Sequence, residues 1–118
     1  PKERLTCVEV SGQHCRVLEQ KGFAVIQGDF LEIAPSWDKR FDRICLNPPF
    51  ANGRAVAHLE AAAGLVAGGG RLVAILPLSL RGKALLDPAL WKMNWLGPFD
   101  NQFANTSISV AILCADRV

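Results

Sequence analysis

The stretch DRICLNPPFANG, residues 42–53, decides how the rest of the chain is read. Ile44-Cys45-Leu46 has the composition of a strand entering a core, and Asn47-Pro48-Pro49-Phe50 stops it, because proline has no N–H to give a sheet ladder. Phe41–Leu46 is therefore expected to be a strand. Two consecutive prolines fix φ and restrict the residue before them. Asn47 is thus held at a set angle, and Phe50 is presented at the strand's end. A planar amide beside a rigid carbonyl offers two acceptors to one N–H₂ group. An aromatic beside them can stack on a flat ring. The loop therefore reads as a pocket for a planar amine. The plainer alternative is a proline turn that ends the strand, with Phe50 in the core.

Outward from this loop the chain alternates. Leu5–Val10 reads as a strand. Gly12–Gln20 reads as a short helix closed at Lys21-Gly22, and Phe23–Gln27 as a second strand bounded by glycines. Asp29–Ile33 with Pro35-Ser36 reads as a loop. Arg54–Ala67 is Ala- and Leu-rich and reads as a helix stopped by Gly68-Gly69-Gly70. Arg71–Leu76 is a fourth strand ended by Pro77. Leu78–Leu90 reads as a loop with a helical turn, Trp91–Leu96 as a strand or an ordered crossing, and Ser107–Ala115 as a last apolar strand. Alternating strands and helices imply an α/β domain with a mostly parallel sheet. Runs such as RLVAIL and SISVAIL suit strands buried on both faces.

In open α/β sheets, ligands bind beyond the carboxyl ends of the strands. That rule selects Glu9, Asp29 and Asn47, each at the end of one expected strand. An acid at a strand end of a Rossmann-like unit can accept both hydroxyls of a ribose. An acid in the next loop can accept from an exocyclic amine. Either acid taken alone also reads as an ordinary loop carboxylate.

With these residues in place, the chain resembles the class I S-adenosylmethionine-dependent methyltransferases that modify amino groups. Asn47-Pro48-Pro49-Phe50 resembles their [DNS]-P-P-[FYW] motif IV. Val8-Glu9-Val10 resembles their second-strand motif, and Gly28-Asp29-Phe30 their motif III. GGGRLVAILP (68–77) resembles their fifth strand after its Gly-rich turn, and SISVAILC their antiparallel final strand. The resemblance implies S-adenosylmethionine as cofactor. It implies ribose binding by Glu9, contact with the cofactor's adenine by Asp29 and Phe30, and a cofactor contact for Asn47. It implies a catalytic loop of Asn47, Pro48, Pro49 and Phe50, with the target base flipped out against Phe50. The implied target is an exocyclic amino group, adenine N6 in DNA first. Ribosomal RNA amines (guanine N2 or adenine N6) and a protein glutamine are the alternatives. Arg54, Arg81 and Lys83 flank the expected mouth, where they can meet phosphates or serve as solvated surface charge.

The family begins with a strand and a Gly-rich loop that cradles the methionine end of its cofactor, and only eight residues precede Glu9. The chain also lacks an initiator Met. Residues 1–118 are therefore expected to form a partial methyltransferase domain whose first strand and motif I are absent. Without that strand the sheet has a gap, or the strands at Leu5–Val10 and Phe41–Leu46 pair directly. A second copy of the chain closing the gap, as a homodimer, is one expectation. A catalytically inactive, methyltransferase-like binding module is the reading from another class.

Length and composition set the outer bounds. At 118 residues the expectation is one domain, able to bury roughly 60–70 % of its unfolded surface. No run of 18 apolar residues is present, so no membrane helix is expected. The net charge of +2 does not by itself indicate a nucleic-acid partner. Cys7, Cys15, Cys45 and Cys114 form no C-x-x-C pair, and His14 and His58 are isolated. Buried free thiols, no metal site and a cytoplasmic location are the expectations.

Overall fold

A computed structural model describes residues 1–100 and 109–118. It divides the chain into two compact units, Pro1–Trp37 and Asp38–Val118.

The first unit is a β-α-β element. Strand β1 (Thr6–Glu9) pairs in parallel with β2 (Ala24–Gln27), Glu9 standing opposite Gln27. Helix α1 (Gly12–Gln20) connects them and packs against both. Its ends are written in the sequence. The Ser11 hydroxyl accepts from the His14 N–H at 3.2 Å, a side-chain N-cap. Gly22 has φ +92°, its N–H bonds Glu19 O, and the Phe23 N–H bonds Leu18 O. This pair of reverse bonds is the Schellman stop, which glycine enters without steric cost. The segment expected as a loop from Asp29 contains one helical turn, α2 (Phe30–Ile33), capped by Asp29. The Asp29-x-x-Glu32 spacing is a capping signature that reading it as a loop passed over.

The second unit is a four-stranded sheet in the order β3-β4-β6-β5, with helix α3 (Arg54–Ala63) against β4. Strand β3 (Phe41–Leu46) has the expected bounds and runs parallel to β4 (Val66–Pro77). β6 (Val110–Arg117) lies antiparallel between β4 and β5 (Trp91–Phe99). β3, β4 and β5 thus share one direction and β6 opposes it, as expected of a mostly parallel sheet with an antiparallel C-terminal strand. β1 pairs with β2, and β3 with β4. Residues 107 and 108 of the expected last strand lie outside the described residues.

Two boundaries differ from expectation, for one reason. α3 ends at Ala63 with Gly64 as its cap, and β4 already begins at Val66. The glycine triplet therefore sits inside the strand, and it does not stop the helix. The Phe41 N–H bonds Leu65 O at 2.7 Å, and the register slips between Phe41 and Arg43 to accommodate the extra residues. A Cβ on Gly70 would stand 2.8 Å from both Asp42 O and Ala67 O. The glycine is there because β3 approaches it closely.

The two faces of this sheet differ. Leu72, Ala74, Leu76, Ala111, Leu113 and Ala115 are buried on the face that packs with α3, whose buried stripe is Ala55, His58, Leu59 and Ala62. Burial of each large side chain contributes about 1.5–3 kcal/mol. The alternate residues Val73, Ile75, Ile112 and Cys114 are half-buried. Cys45 pairs with Val73 on that second face and is exposed. Cys45 was expected to be a buried thiol; as an edge-strand residue pointing away from α3, it is uncovered. Cys15 is buried, Cys7 and Cys114 are intermediate, and all four thiols are free. Among the described residues, no helix is long and apolar enough to cross a membrane.

Candidate active site

The site residues expected from sequence fall into two groups, one in each unit. In the first, Glu9 ends β1, and Asp29 follows β2 by two residues. Because the strands are parallel and in register, both acids stand on one rim. The Gly28 N–H bonds Glu9 O at 3.0 Å and ties the two strand ends together. A Cβ on Gly28 would come within 2.8 Å of the Ile33 side chain, so α2 folds back closely over this turn.

Each acid is oriented by a partner. Glu9 Oε1 accepts from the Ser11 N–H at 3.2 Å and stands 3.2 Å from His14 Nδ1. Asp29 Oδ1 accepts from the Leu31 N–H at 3.0 Å. One oxygen of each carboxylate is thereby fixed in direction. Asp29 is thus a helix cap as well as a candidate ligand. Phe30 follows Asp29 and is half-buried. Ser11 and His14, which hold Glu9, had not been expected at the site. Their signal is the serine N-cap at the turn after β1, which places the first turn of α1 beside the preceding strand end. The Cys15 thiol donates to Glu9 O at 3.3 Å. Burial first, then the charges of Glu9 and Glu19, pushes the Cys15 pKa up, so this thiol is a structural group.

In the second unit, Asn47 leaves β3 exposed, Pro48 is buried, Pro49 is exposed and Phe50 is half-buried. The buried Pro48 anchors the loop, so Asn47 is displayed from a fixed base. After Phe50 the chain turns into α3 through Asn52 (φ +57°) and Gly53 (φ +72°), both left-handed. Cys45, Leu46, Asn47, Val73 and Ile75 line a shallow groove of about 270 Å³. Asn47 is its polar end; the remaining lining is apolar or thiol. Cys45, Val73 and Ile75 as lining had not been expected, because alternation within strongly apolar runs does not tell which face stays open.

No protein-family model matches the chain, and no curated protein matches it. Solved structures do match. An rRNA methylase from Streptococcus thermophilus superposes with a TM-score of 0.67 at 13 % identity, over 98 % of this chain and 74 % of that one. The 23S rRNA methyltransferase ErmE superposes with a TM-score of 0.73 at 16 % identity, over 96 % of this chain and 52 % of that one. A Streptococcus mutans protein provisionally described as a methyltransferase, in complex with SAH, gives 0.66 at 13 %, over 98 % and 77 %. At such identities the likeness is one of fold, and the fold of this chain is the Rossmann-like methyltransferase sheet.

Proposed function

We propose that the chain transfers a methyl group from S-adenosylmethionine to an exocyclic amino group of a nucleic-acid base. The observation that carries this reading is the Asn47-Pro48-Pro49-Phe50 loop. It stands at the C-terminal end of β3 with Asn47 exposed, Pro48 buried and an open groove beside Asn47. The methyltransferase fold of the chain supports it.

The residues of the first unit fit the nucleoside end of the cofactor. Glu9 would present its oriented carboxylate to the ribose hydroxyls, Asp29 would accept from the adenine amine, and Phe30 would stack on the adenine ring. When bound, the cofactor supplies a methyl group on a sulfonium, which is already a good leaving group. In the second unit the Asn47 side-chain oxygen and the Pro48 carbonyl accept the two protons of the target amine. Those bonds draw its nitrogen lone pair out of conjugation, and Phe50 stacks on the base. The amine gives up one N–H proton to water as it gains the methyl, which needs no strong base, so holding the amine in line is most of the catalysis. The base leaves its own stack to reach this loop.

RNA is the polymer favoured by the neighbours named for rRNA. Adenine N6 in DNA is the second reading, favoured by the likeness of the N-P-P-F loop. In either case the chain acts as a methyltransferase domain in the cytoplasm. The test is transfer of labelled methyl from S-adenosylmethionine to RNA and DNA oligonucleotides, with the product nucleoside identified by mass spectrometry. An N-methylated base is expected, from RNA first. Cofactor binding by calorimetry with no transfer to either polymer would favour the inactive binding module.

A further inference from the structure

We infer that the turn Arg81-Gly82-Lys83 grips the phosphate backbone of the strand whose base reaches Asn47. The inference rests on the nucleic-acid reading above and names the surface that would hold the polymer. β3 and β4 run in parallel, so Asn47 after β3 and Pro77 ending β4 share one rim of the sheet. A single 3₁₀ turn, Leu78–Leu80, follows Pro77, and Arg81 comes next. The Leu78 N–H bonds Ser109 O, which holds this exit against the start of β6.

The other cations of this unit are largely engaged. Arg71 bonds Asp116 at 2.6 Å, Arg43 bonds Asp42 O at 2.8 Å, and Arg117 bonds Val118 O at 2.9 Å. Lys39 lies 5.0 Å from the Phe41 ring centre. Among the described residues, the side chains of Arg81 and Lys83 make no hydrogen bond or ion pair, and both are exposed. Between them Gly82 adopts φ +80° with no atom near the place of a Cβ. The backbone of the turn is fixed by Arg81 N–H to Leu78 O and Lys83 N–H to Leu80 O. Two cations separated by a single glycine are thus mounted on a braced, open turn at the rim that carries the amine loop. Asp100 also lies near this rim, and its carboxylate accepts from the Ser109 hydroxyl. A polyanion meets this surface through charge, whatever its base sequence.

The experiment is the salt dependence of binding of fluorescent single-stranded RNA and DNA to the chain. It compares the wild-type chain, the Arg81→Gln/Lys83→Gln double variant, and Arg40→Gln as control. Arg40 is an exposed cation preceding β3, at the opposite rim. Losing two phosphate contacts should flatten the log K against log salt slope by about 1.4, since each contact on a single strand contributes about 0.7. Binding at low salt should fall roughly tenfold or more, while Arg40→Gln leaves the slope in place. Wild-type binding with an unchanged slope in the double variant overturns the inference and leaves the proposed function standing. An equal loss in Arg40→Gln overturns it as well, by showing a diffuse charge effect. No binding of RNA or DNA by the wild-type chain overturns both.

Discussion

Asn47 illustrates how much a single side chain is asked to do. It is exposed, rooted by a buried proline and placed at the polar end of an apolar groove. If its amide oxygen receives the target amine only as the methyl moves, Asn47→Ala should lower kcat about 10²- to 10³-fold, as loss of a transition-state hydrogen bond does. The KM for S-adenosylmethionine should change little. Steady-state kinetics decide it, and an unchanged kcat removes Asn47 from the mechanism. Asp116 carries a different prediction. The hydrogen bond from Arg71 comes first among the causes that depress its pKa, and the charges of Arg71, Lys92 and Arg43 add to it. A carboxyl with a lower pKa folded than unfolded stabilises the fold at pH values above the unfolded value, near 4. That contribution is lost as pH falls through the depressed folded value. Thermal midpoints from pH 7 down to pH 3 should therefore fall further for the wild-type chain than for Asp116→Asn, and the two should converge in acid. Parallel curves would mean that the pair contributes nothing, as exposed ion pairs often do.

At the scale of elements, the legible features were those governed by local chemistry. The bounds of α1 follow from Ser11 and Gly22, and those of β3 from the prolines beyond it. The end of α3 was misread because Ala- and Leu-rich composition favours helix without saying where it stops. What stops it is long-range, since residues 65–70 are taken into the sheet beside β3. Gly70 is the residue that lets this happen. A methyl group there would meet two backbone oxygens, neither of which can swing aside as a flexible side chain can. Gly70→Ala should destabilise the chain by about 1–3 kcal/mol, the usual cost of forcing an atom into a packed site. Chemical denaturation measures this directly. Gly69→Ala would be the wrong comparison, because its φ of +78° adds strain of a second kind. Gly68→Ala, with open space at its Cβ and no positive φ, is the right one and should cost far less. Equal losses at 68 and 70 would mean that close approach of β3 is not the constraint.

At the scale of the molecule, the sequence order of motifs was enough to find the fold. In the structure the N-P-P-F loop follows β3, Glu9 ends β1, Asp29 follows β2, and the apolar final strand is β6. The face on which the groove opens was not legible. β4 and β6 read as nearly continuous apolar runs, which implies burial on both sides. The structure buries one face under α3 and leaves the other half-covered. Leu113 and Ile112 put this asymmetry to a test, because neighbours on one strand point to opposite faces. Leu113 is fully buried on the α3 face; Ile112 pairs with Ile75 on the other. Leu113→Ala removes packed atoms and leaves a cavity, at a cost of about 2–5 kcal/mol. For a chain near 100 residues that lowers the thermal midpoint by roughly 10 °C or more. Ile112→Ala gives up side-chain area that water already reaches in part, so its cost should be less than half as large. If the two substitutions cost the same, the second face is as tightly covered as the first, and the groove beside Asn47 is not open to a substrate.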